Sequence, residues 1–114
     1  MHELAIAQSA LKHVLLEAAR ARAARVDRIV LRIGPLSGVD PEALRFAFAA
    51  LLPTTAAAGA TVELETPPAA AHCPACGHHF APTAAALLEC PQCHALGASL
   101  VGGRELDLVS IDCS

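Results

Sequence analysis

The chain has 114 residues, 54% of them apolar but only three aromatic, and a formal net charge of −3. That length suits one ordinary domain, or a small domain carrying a smaller module. No apolar run is long enough to span a membrane, the start Met1-His2-Glu3-Leu4 lacks the regions of a signal peptide, and the acidic balance offers no general attraction for nucleic acid.

The expectation is a cytoplasmic protein with reduced thiols. Its core must come from Leu, Ile, Val, Phe46 and Phe48, because much of the apolar content is alanine. Residues 3–25 read as a helix: Leu4, Ala7, Leu11, Val14, Leu15 and Ala18 recur at three and four residues. Glu3 at its start and Arg20, Arg22 and Arg25 toward its end suit the helix dipole. Residues 26–33 alternate as a strand, with Ile29, Leu31 and Ile33 on one face and Arg28 and Arg32 on the other. Gly34-Pro35 ends it. Asp40 caps a second helix that has Pro41 at its first position. Leu44, Phe48, Leu51 and Leu52 form its buried side, and Pro53 stops it.

Residues 61–65 alternate as a second strand with Val62 and Leu64 inward, and 67–71 is a linker. Two Cys-x2-Cys pairs follow, Cys73-Pro-Ala-Cys76 and Cys90-Pro-Gln-Cys93, with thirteen residues between them. Each pair makes a tight knuckle, and a short hairpin in the intervening segment can bring the knuckles together around a tetrahedral structural zinc. Disulfides suit the pattern less well, because the total of five cysteines is odd. Residues 69–103 contain no Lys or Arg, and the chain has no Trp or Tyr, so this module has nothing for phosphates or bases. Gly102-Gly103 closes the module. The last strand, 105–113, has Leu106 and Leu108 on one face and Val109 and Ile111 on the other, which indicates a bulge or two covered faces.

The fold class is therefore α+β: a small three-stranded sheet with two helices, plus an inserted zinc-ribbon-like module. Residues 1–68 with 104–114 form the first unit and 69–103 the second. The strands on either side of the module are expected to pair in one sheet. Four histidines, His72, His78, His79 and His94, surround the knuckles. His78 and His94 can replace a thiolate or couple the site to pH, or stay outside it. His13 reads as a surface residue and Cys113 as an inert thiol.

Together, the start Met1-His2-Glu3-Leu4, the stretch from Leu31 to Phe48, the four cysteines and Gly103-Arg-Glu-Leu106 closely resemble the HypA/HybF family of hydrogenase maturation factors. The resemblance implies a nickel metallochaperone, not an enzyme, serving [NiFe]-hydrogenase. It implies two partners, the GTPase HypB and the hydrogenase large subunit. It also implies a Ni(II) site at the N-terminus, made by the Met1 amine, the amides that follow, including that of Glu3, and the His2 imidazole. Fused chelate rings of strong nitrogen donors suit planar Ni(II) rather than tetrahedral zinc. Asp40 is explained by its capping role, and the family motif also places it near the nickel end. The alternatives are a zinc-ribbon assembly adaptor without nickel transfer and nickel delivery to urease.

Overall fold

In the computed structural model, which describes residues 2–82 and 88–114, helix α1 spans Glu3–Arg20 and strand β1 spans Val26–Ile33. Ala7, Leu11, Val14 and Ala18 are buried along one side of α1, as their spacing predicts, while Leu4 stays half exposed. The helix ends five residues earlier than its composition suggests. Arg22 takes a left-handed conformation, φ 56°. The Ala23 amide then donates to the Ala18 carbonyl at 2.9 Å and the Arg22 amide to the Ala19 carbonyl at 3.0 Å. This is a Schellman turn with arginine where glycine is usual. Arg22 and Arg25 thus lie beyond the helix, and only Arg20 remains in its last turn.

Helix α2, Pro41–Leu51, begins where Asp40 Oδ1 accepts from the Glu42 amide at 3.0 Å. Pro53 does not stop the chain outright. It sits inside a single 3-10 turn, Leu52–Thr54, that prolongs the helix. Leu44, Ala47 and Phe48 are buried, but Phe46 is 79% exposed and contributes nothing to the core. Its position explains this: two residues at 100° each set it about 200° from Leu44, on the far side of the helix.

Strands β2, Thr61–Glu65, and β6, Leu106–Cys113, flank β1 in the order β2-β1-β6. β2 runs parallel to β1, so α2 serves as the crossover, and β6 runs antiparallel. The strands before and after the cysteine module therefore share a sheet without pairing to each other. In β6 a register shift leaves Val109 as the extra residue between Ser110, opposite Val30, and Leu108, opposite Leu31. That bulge brings Leu108 and Ile111 onto the same side, against the core.

Both helices pack on one face of this sheet, in a single core of Val14, Ile29, Ile33, Leu44, Phe48 and their neighbours. Each fully buried large side chain there contributes about 1.5–3 kcal/mol. The other face carries charge. Arg28 binds Glu63 through a 2.8 Å bond and Asp112 at 3.4 Å, and Arg32 binds Glu65 at 3.0 Å.

A second sheet forms from β3, Ala70–His72, β4, His79–Phe80, and β5, Ser99–Gly102, in the order β4-β3-β5. β3 begins at Ala70, so the linker is shorter than its composition suggests. This sheet joins the first at a close backbone contact. Leu36 donates to the Gly103 carbonyl at 2.6 Å and Gly34 to the Glu105 carbonyl at 2.8 Å. A Cβ on Gly34 would collide with the Gly103 carbonyl oxygen. Gly34 is therefore required by close approach.

Candidate metal centre

The first knuckle is the turn of the β3–β4 hairpin itself. The Cys73 amide donates to the His78 carbonyl at 2.9 Å, and Gly77 donates back to the Cys73 carbonyl at 2.7 Å. The second knuckle repeats this pattern. Cys90 donates to the Ala95 carbonyl at 3.1 Å, and His94 donates back to Cys90 at 2.9 Å. Gly77, φ 78°, and His94, φ 62°, thus occupy the same left-handed position in the two turns. The β3–β4 hairpin encloses the first knuckle, and the hairpin expected between the knuckles falls partly outside the described residues. Part of the intervening segment, including the alanine run at 84–86, lies outside the described residues.

The turns aim four sulfurs at one point. Cys73 Sγ lies 3.6 Å from Cys93 Sγ, and Cys76 Sγ lies 3.6 Å from Cys90 Sγ. All four lie within 4.8 Å of one another. Four sulfurs bonded tetrahedrally at about 2.3 Å to one ion would stand about 3.8 Å apart. The thiols are free, not disulfide-bonded. Cys73 and Cys90 are buried, while Cys76 and Cys93 face solvent.

Burial opposes a Cys90 thiolate, but the amides of Cys93 and Gln92 and the neighbouring thiols outweigh it and bring its pKa down to about 7. At Cys76 the His78 amide favours the thiolate. Partial loss of hydration and hydrogen bonds to the other three sulfurs overcome it and push this thiol up to about 12. The surroundings thus favour the thiolate at Cys90 and oppose it at Cys76. A divalent ion among the sulfurs would displace the remaining protons.

The histidines stay outside the sulfur cluster. His94 donates through its backbone, and its Nδ1 lies 3.3 Å from Glu89 Oε1. His78 stacks on Phe80 with centroids 6.1 Å apart, and His72 meets His79 at 4.6 Å. Among the described residues, the four cysteines form the one group of three or more His, Cys, Asp or Glu side chains able to share an ion. His2, Glu3 and Asp40 are not brought together in that way. His13 is exposed, as expected, and Cys113 packs half-buried against the core.

At the opposite end of the sequence, His2 is the exposed N-cap of α1. It lines a groove with Leu4, Ala43, Phe46 and Ala50. Ile6 makes the first intrahelical bond, to the His2 carbonyl at 3.1 Å. The amides of residues 3–5 thus have no acceptor within the helix. Met1 lies outside the described residues.

The family model described as HypA, hydrogenase/urease nickel incorporation, metallochaperone, matches residues 1–113. The chain belongs to the HypA family. It is 42% identical over 111 residues to the hydrogenase maturation factor HypA of Chlorobium limicola, covering 97% of this chain and 95% of that protein. It is 39% identical over 112 residues to the HypA of Chloroflexus aurantiacus, covering 98% of each. At 24% identity, a solution structure of a HypA protein shares its fold with a TM-score of 0.75, over 100% of this chain and 97% of that one. The Ni metallochaperone HypA from Helicobacter pylori, also 24% identical, does so with a TM-score of 0.67 over 99% and 97%. The HypA family is one of nickel metallochaperones, and the four-cysteine cluster suits zinc by its donor chemistry. No helix among the described residues is long and apolar enough to cross a membrane.

Proposed function

We propose that this protein carries Ni(II) at its N-terminus and delivers it for assembly of [NiFe]-hydrogenase, with a structural zinc in the module. The observation that carries this reading is the match to a nickel-incorporation family over residues 1–113. The two donor sets are chemically distinct. Cys73, Cys76, Cys90 and Cys93 offer a closed tetrahedral thiolate cage that suits Zn(II). The Met1 amine, the following amides and the His2 ring offer fused nitrogen chelates that suit Ni(II). The helix start supports the second set, since the Glu3 amide has no intrahelical acceptor to give up. A chelate that includes the exposed His2 can be presented to a partner and stripped by it.

The protein acts in the cytoplasm and catalyses no reaction of its own. Its partners are the GTPase HypB and the hydrogenase large subunit. Delivery to urease is the second reading, because the family description names both enzymes.

Metal analysis tests the zinc assignment. The purified protein should hold about one zinc per chain, and a Cys73→Ala, Cys90→Ala variant should hold none. A variant that keeps stoichiometric zinc would overturn it. In a deletion strain, wild-type protein should restore nickel-loaded hydrogenase and the His2→Ala protein should not. Equal rescue by both would contradict the proposed nickel site, and nickel-loaded urease alone would establish the second reading.

A further inference from the structure

His72 and His79 belong to neither donor set described above. They are direct partners across β3 and β4. Their rings stand 4.6 Å apart between centroids, with planes tilted by 40°. His72 is half-buried and His79 is exposed, so the pair is anchored on one side and open to solvent on the other. An ion bound at about 2.0–2.1 Å to one nitrogen of each ring, with a bond angle between about 90° and 110°, would hold the centroids about 4.5–5.3 Å apart. The observed separation falls within that range. Strand pairing has already set the two backbones opposite each other, so chelation has only the rings left to order.

The electrostatics also favour a cation. No Lys or Arg occurs in residues 69–103. Four thiolates around one divalent ion keep a net charge of about −2, and that cluster begins at Cys73, directly after His72. Imidazole donors select borderline first-row ions rather than hard ones.

We propose that His72 and His79 form a two-imidazole clip for one borderline divalent cation, Ni(II) among them, with water in the remaining positions. The clip stands apart from the N-terminal chelate and does not depend on it.

The test uses zinc-loaded, full-length protein carrying His2→Ala and two extra residues before Met1, which disables the proposed N-terminal donors. Ni(II) is added while the histidine ring signals are followed by NMR, and affinity is measured by calorimetry. The expected result is one binding event that broadens the His72 and His79 rings first. Its affinity should fall about tenfold or more in His72→Ala and in His79→Gln, and stay unchanged in His13→Ala. Zinc content is checked in every variant, and if His72→Ala loses zinc, the exposed His79→Gln variant decides. Unchanged affinity in His79→Gln would overturn the proposal. So would no binding, first broadening at His78 or His94, or a nickel–thiolate charge-transfer band.

Discussion

His94 stands where Gly77 stands in the other knuckle, and the comparison says what a histidine beside a zinc-type cysteine is doing. A left-handed backbone costs a non-glycine residue about 1–2 kcal/mol, and the His94 ring gives back only an exposed 3.3 Å contact with Glu89. His94→Gly should therefore tighten zinc retention in chelator competition, by up to about fivefold for 1 kcal/mol. Gly77→Ala should loosen it by a similar factor, through strain alone, since its Cβ would meet nothing within 4 Å. If His94→Gly instead released zinc, the histidine would be a ligand. The cysteines were legible from spacing, because the knuckle geometry is encoded in Cys-x2-Cys. The turn position of His94 was not, because a positive φ leaves no mark when the residue is not glycine. Phe46 was misjudged for a different reason: size suggested the core, but its angle around the helix decides its exposure.

At the level of elements, the strongly periodic segments are readable, with both ends of β1 and β2 among them, whereas the C-terminal ends of the helices are not. β1 and β2 lie where alternation puts them, and Asp40-Pro41 starts α2 as its capping chemistry requires. The end of α1 escaped because an arginine closes its Schellman turn. The bulge at Val109 settled which of two expectations applied to β6, and only pairing with β1 could show it. The parallel placement of β2 also sets its charges beside Arg28. Hydrogen bonding to Arg28 holds the Glu63 carboxyl below its usual range. A depressed folded pKa contributes stability that is present above the ordinary carboxylate value and lost as pH falls through the folded one. Urea unfolding between pH 6 and pH 3 should thus show Glu63→Gln with a shallower loss of stability in acid than the wild type. The difference should be small, because the pair is exposed and screened. Parallel pH profiles would mean that the Arg28–Glu63 pair contributes nothing in solution.

The whole molecule extends 55 × 25 × 17 Å. Its two sheets have separate strand orders and meet where Gly34 donates to the Glu105 carbonyl and Leu36 to the Gly103 carbonyl. Pro67-Pro68 and Gly102-Gly103 are the sequence marks of the expected division into units. The contact has no such mark, because it joins segments nearly 70 residues apart in sequence. We propose that the units open independently. Cys90→Ser should increase amide exchange throughout the described parts of 69–103 while β1, α1 and α2 keep their protection. Simultaneous loss of protection in both would mean one cooperative unit.

We propose that nickel is held by the chain's own N-terminus while zinc is held elsewhere. Two residues added before Met1 turn its amine into an ordinary amide and move the true amine away. The decisive measurement is a spectroscopic Ni(II) titration of the native and N-extended proteins, with zinc content determined in both. The extended protein should lose the planar Ni(II) absorption and bind nickel far more weakly, with its zinc unchanged. Undiminished affinity and an unaltered spectrum in the extended protein would contradict the account.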